Sequence, residues 1–207
     1  MTQEKQLSSV RVLAVLVGLS VLSACSAQGT VIGLGAVVGR ILLQERDAGD
    51  ALSDTDIEIG ILTRILEFSP EAAATVSVTS IEGRVLLTGD VDGAEDGARI
   101  VEIAWISPQV GSVANELTVG LGGGIGQASD DLQLAAAIRL RLVRDLGIAD
   151  INFIIAVDGG VVHLAGLARD REELRSVIWH VRRTAGVVHV VSHVLTLDDP
   201  RRVARGV

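Results

Sequence analysis

Aromatic residues are nearly missing from this chain of 207 residues: two Phe, two Trp and no Tyr. Any core must be built from Val, Ile, Leu and Ala, and an apolar content of 48% allows it. There is one cysteine, Cys25, so no intramolecular disulfide can form and the thiol is free for attachment. Positive charge is short, 18 Lys and Arg against 26 Asp and Glu, a formal net charge of −8. Nothing global attracts nucleic acid, and no nucleic-acid partner is expected. Groups that carry chemistry are equally sparse. No nucleophile–base pair is evident, and Gly122, Gly123 and Gly124 lack the Lys-Ser/Thr of a phosphate loop. All four histidines, His163, His180, His189 and His193, fall in the second half. His189 and His193 share one face of a strand, but no cysteine or adjacent acidic cluster completes a ligand set. Asp90, Asp92, Glu95 and Asp96 read as a solvated helix start. The expectation is a chain without catalytic site, metal or cofactor.

The N-terminus carries a targeting pattern. Lys5 and Arg11 precede an apolar run over 12–22, shorter than the roughly 20 residues a membrane-spanning helix needs. The string Leu22-Ser23-Ala24-Cys25 follows directly and resembles the bacterial lipobox, in which cleavage falls just before the cysteine. Residues 1–24 are then a lipoprotein signal peptide and Cys25 the lipid-attachment site, with acyl chains such as palmitate on its thiol and new amine. Several buried chains make such an anchor stable. Under the sorting rule of these lipoproteins, Ser26 in place of Asp implies the outer membrane, facing the periplasm. Residues 25–52 form a lipidated tether. Its Gly-dotted apolar stretch 29–43 is read as tether, with shallow membrane insertion as the alternative.

The most informative feature is an internal repeat. A shift of 77 residues lays the chain on itself without a gap. Asp54 meets Asp131, while Ile57, Ile61 and Ile65 meet Leu134, Ile138 and Leu142. Gly83, Val85, Leu87 and Gly89 meet Gly160, Val162, Leu164 and Gly166, and Val113 and Leu117 meet Val190 and Val194. Each copy predicts a helix with Asp54 or Asp131 at or near its N-cap and a strand at 75–79 or 152–157. A two-residue turn follows, Glu82-Gly83 or Gly159-Gly160, and then a second alternating strand. A helix at 94–106 or 171–185 and a last strand at 112–119 or 188–197 complete the unit. The order is α-β-β-α-β, an α+β fold with a three-stranded sheet against two helices. Domains are expected at 53–119 and 130–197, joined by a flexible Gly-rich linker at 120–129 and followed by a basic tail at 198–207.

Three strings carry a resemblance: the Asp-x-x-Ile start, Glu-Gly-Arg-Val-Leu-Leu-Thr-Gly over 82–89, and Gly-Val-x-x-Val over 186–190. They are similar to BON domains, and a lipobox followed by two such units resembles the dual-BON outer-membrane lipoproteins. The first copy departs at Pro108-Gln109-Val110, where the second has Ala185-Gly186-Val187. That places its helix-to-strand turn in question. The resemblance implies a non-enzymatic protein that binds phospholipid and supports outer-membrane integrity. The alternative is a periplasmic adaptor for envelope assembly machinery.

Charge distribution suggests which domain meets lipid. Residues 53–119 hold twelve acids and three arginines, whereas residues 130–199 hold ten acids and eight arginines. On a helical projection of the second domain's first helix, Leu134, Ile138 and Leu142 form one stripe. Leu132, Ala136, Leu140 and Val143 form another nearly opposite, flanked by Arg139 and Arg144. Apolar residues beside arginines suit an interfacial helix on an anionic phospholipid membrane. These six residues are the expected lipid-binding set, with packing of the stripe on the first domain as the alternative. The corresponding stripe of the first domain, Ile59, Leu62 and Leu66, lies beside Glu58 and Glu67, which an anionic surface would repel.

Overall fold

The computed structural model describes residues 48–120 and 125–202. The expected signal peptide, Cys25 and the stretch 29–43 lie outside the described residues. The first repeat comprises α1 (Ala48–Phe68), α2 (Pro70–Thr75), β1 (Val76–Ile81), β2 (Arg84–Val91), α3 (Ala94–Trp105) and β3 (Ser112–Val119). The second comprises α4 (Ile125–Val143), a 3-10 turn (Asp150–Asn152), β4 (Phe153–Asp158), β5 (Val161–Ala168), α5 (Arg171–Arg182) and β6 (His189–Thr196). β1 and β2 form an antiparallel hairpin and β3 returns parallel to β2, so β2 is central. β4, β5 and β6 repeat this order. Parallel neighbours need a crossover, which α3 and α5 supply.

The two-domain α+β architecture is as expected, with instructive differences in its boundaries. α1 takes in residues 48–52 of the expected tether, and α4 takes in 125–129 of the expected linker. Two short elements were not anticipated, α2 and the 3-10 turn. α2 starts on Ser69, whose hydroxyl accepts the Ala72 N–H at 3.1 Å, with Pro70 in the first turn.

Asp54 and Asp131 are not N-caps, because both helices begin earlier. Their carboxylates instead hold the hairpin turns. Glu82 and Gly83 have φ of 54° and 70°, and Gly159 and Gly160 have 55° and 78°, the pairing of a type I′ turn. Asp54 accepts the N–H groups of Glu82 at 2.6 Å and Gly83 at 2.8 Å, and the Ser80 hydroxyl at 2.7 Å. Asp131 accepts those of Gly159 at 2.9 Å and Gly160 at 3.1 Å. The helix-to-strand turn of the first copy also survives its altered sequence. Gln109 adopts φ 66° where Gly186 has 97°, and Gly111 N–H reaches Gly83 O at 2.8 Å as Val188 N–H reaches Gly160 O at 2.9 Å.

Each domain has its own core on the helical side of its sheet. Ile57, Ile61 and Ile65 of α1 meet Val85 and Leu87 of β2 and Ile100 and Ile103 of α3. Leu134, Ile138 and Leu142 of α4 meet Phe153, Val162 and Leu164, then Val177 and Val181 of α5. The opposite sheet faces are not left to solvent. Ile81 and Leu86 of the first domain join Ala165, Leu167 and Leu195 of the second in a third buried cluster. The two sheets therefore pack back to back, with helices outermost.

Candidate functional site

The helix α4 has two apolar faces, as its spacing predicts. Leu134, Ile138 and Leu142 are buried, while Leu132, Leu140 and Val143 are 73%, 51% and 53% exposed. Ala136 and Arg144 are exposed as well. Leu132, at the start of the strip, also borders a cavity shared with Thr75, Thr88 and Asp90 of the first domain, while the two domains meet mainly through their sheets. Arg139 is placed differently from the expectation. It is half-buried and donates to the backbone carbonyls of Asp150 at 2.7 Å and Phe153 at 2.9 Å, tying α4 to the start of β4. Its guanidinium is held by the domain it belongs to, and Arg144 is the member of the pair left at the surface.

Two residues outside the predicted set are also exposed and apolar. Leu146, just past α4, is fully exposed. Trp179 of α5 is half-exposed, with the Arg183 guanidinium 4.9 Å from its ring centroid. The His180 imidazole stands edge-on to Trp179 and lies 2.8 Å from the Asp145 carboxylate, which ties α5 to the turn carrying Leu146. That contact and the Gly147 N–H hold the Asp145 carboxyl below its ordinary value. An exposed aromatic under a cation is suited to a membrane interface. The sequence signal was the rarity of tryptophan in this chain.

The seam between the sheets holds a second group of polar residues. Glu116 of β3 lies between two imidazoles, 3.0 Å from His193 Nε2 and 3.7 Å from His163 Nδ1. His163 is buried, and its burial pulls the imidazole below its ordinary value against the raising pull of Glu116. Beside it, Arg84 lines a cavity of about 310 Å³ that also touches Leu86, Leu195 and Arg201. Arg84 Nη1 donates to the His193 carbonyl at 3.3 Å. Glu82 receives the Arg202 guanidinium at 3.0 Å, which ties residue 202 to the first domain's hairpin turn. Thr118 donates to Asp158 at 2.9 Å. Under the 77-residue shift that pair maps onto Leu195 and Ile81, which lie together in the apolar cluster. The seam is thus roughly its own image under the repeat, with Thr118 and Asp158 at one end where Leu195 and Ile81 stand at the other.

His189 and His193 share a strand face but not a site. His189 is exposed, and His193 turns instead to Glu116 and His163. The seam left one trace in the sequence: Val85-Leu86-Leu87 and Leu164-Ala165 are apolar at both parities, the pattern of strands covered on two faces.

Two α-β-β-α-β units in tandem, each with its hairpin turn clasped by a helix aspartate, define a class of small α+β repeat proteins. The chain belongs to the BON-domain family, whose profile matches residues 53–120 and 130–197. A protein of Anaplasma centrale, described as an uncharacterized protein in the gshII 5′ region, is 35% identical over 69% of this chain and 94% of its own length. The outer membrane lipoprotein DolP of Haemophilus influenzae is 28% identical over 77% of this chain and 83% of its own. Among solved structures, CdsD, a structural protein of the type III secretion system of Chlamydia trachomatis, is 15% identical over 67% of this chain and 91% of its own. Its TM-score of 0.30 is too low to bear on function.

Proposed function

We propose that this protein is a non-enzymatic lipoprotein of the outer membrane, anchored through Cys25, facing the periplasm, and contacting anionic phospholipid through α4. The similarity to an outer membrane lipoprotein supports the compartment. The observation that carries the lipid contact is the exposed strip of Leu132, Leu140 and Val143 opposite a fully buried stripe, with Arg144 at its edge. Leu146 and the Trp179–Arg183 pair continue the apolar-plus-cationic character. A helix with one buried and one exposed apolar face suits a contact in the interface plane; among the described residues no helix is long and apolar enough to cross a membrane. Support of envelope integrity follows as the role of a protein that bridges lipid and periplasm.

The test is co-sedimentation of the chain, carrying Cys25→Ser to remove the anchor, with vesicles of neutral and of partly anionic lipid. Binding should rise with anionic fraction and fall with salt, since exposed charge is screened over about 10 Å at 0.1 M. Binding to neither vesicle would end the lipid reading. A second reading, docking of an envelope protein, rests on the exposed strip Ile59, Leu62 and Leu66 of α1. Its acidic domain suits a basic partner better than an anionic bilayer.

A further inference from the structure

We propose that Glu116, His163 and His193 form a binding site for one zinc-class divalent ion at the seam between the two sheets. Each residue offers one ligand atom, and these atoms all lie within 4.8 Å of one another. A tetrahedral zinc with bonds of about 2.0–2.2 Å holds its ligand atoms roughly 3.3 Å apart. The Glu116 oxygens stand 3.0 Å from His193 Nε2 and 3.7 Å from His163 Nδ1, which brackets that spacing. The longer separation is beyond hydrogen-bond reach. His163 is only 5% exposed, and its Nδ1 is buried without a hydrogen-bond partner. Buried polar atoms are rarely left so, and a cation between the three groups satisfies this one. Two imidazoles and a carboxylate are a donor set that zinc accepts, with a fourth position open to water.

The site is built by the docking of the two domains and exists in neither alone. Glu116 comes from the first domain and both histidines from the second. Glu116 and His193 are 77 residues apart, so they are equivalent positions of the two repeats brought face to face by the near-twofold seam. His163 takes the place that Leu86 holds in the first copy. An ion here would clamp the sheets together.

The full chain, purified in detergent and stripped with a chelator, would be titrated with Zn²⁺ by calorimetry and with Co²⁺ by visible absorption. One ion per chain is expected, with cobalt d–d bands of a four- or five-coordinate site. At about 100 times Kd, zinc should raise Tm by about 5–10 °C. Glu116→Gln and His193→Gln should each weaken binding by about 100-fold or more, while His189→Gln, on an exposed position of the same strand, should not. Both diagnostic variants alter half-buried side chains, and apo melting curves would verify that they fold. Failure to bind zinc, or binding that survives both substitutions, would overturn the proposal and leave a simple carboxylate–imidazole hydrogen bond.

Discussion

Asp54 shows how one side chain can hold a supersecondary unit together. Its carboxylate sits inside α1, away from the helix ends, and accepts two turn N–H groups and a hydroxyl. Such charge-assisted bonds are among the stronger kinds, and removing the acceptor strands buried donors. Asp54→Ala should cost about 3 kcal/mol in urea unfolding. Asp131→Ala, at a half-buried site where the carboxylate accepts two turn N–H groups, should cost about 1 kcal/mol. Equal costs would mean that burial does not set the strength of this clasp. The glycines within the central strands, at Gly89 of β2 and Gly166 of β5, are a second residue-level device. At Gly89, φ is 107° and an added Cβ would stand 2.1 Å from Thr75 O; at Gly166 the values are 148° and 2.2 Å from Asn152 O. Gly89→Ala or Gly166→Ala should each destabilise by about 3–5 kcal/mol, since backbone blocks the space. A loss below 1 kcal/mol would show that β1 or β4 can shift aside.

At the scale of the element, α4 serves two masters. Its inner stripe belongs to the second core, and its outer strip faces solvent. Leu142→Glu places an unpaired charge in that core and should unfold the domain. Leu140→Glu should leave the melting temperature within a few degrees of the parent and abolish vesicle binding. Burying Leu132, Leu140 and Val143 in the acyl boundary is worth roughly 1.5–3 kcal/mol per side chain at full burial. Arg144→Glu should weaken anionic binding, at about 1 kcal/mol per charge near the surface. Arg139→Glu should instead lower stability, because its guanidinium supports Asp150 and Phe153. If Leu140→Glu destabilised the protein as much as Leu142→Glu, the outer strip would be a packing surface.

At the scale of the whole molecule, the seam decides cooperativity. Each repeat is small enough for its own core to be marginal. The shared cluster of Ile81, Leu86, Ala165, Leu167 and Leu195 gives both domains added burial that a fragment would forfeit. The chain should therefore melt in one calorimetric transition. Leu86→Ala, at a position in contact with neither helical core, should still cost about 2–4 kcal/mol. Two separate transitions, or a Leu86→Ala cost near zero, would mean that the sheets part easily. Charge reinforces the seam: Arg202 pairs with Glu82 of the acidic first domain.

The features legible in the amino-acid order are local and periodic. Apolar spacing of two and of 3.6, glycine pairs at the turns and a gapless repeat specify the elements, their order and both helical cores, because neighbours on one strand or helix face are near in sequence. The second stripe of α4 was legible for the same reason. Whatever joins distant positions depends on the packed fold. Asp54 reaches residues 82 and 83, which turned an expected cap into a turn clasp. Arg139 reaches the chain past its own helix end, which removed it from the surface. The docking of two sheets brought Glu116 to His163 and His193, a meeting that no local period encodes, because it depends on the register between two surfaces.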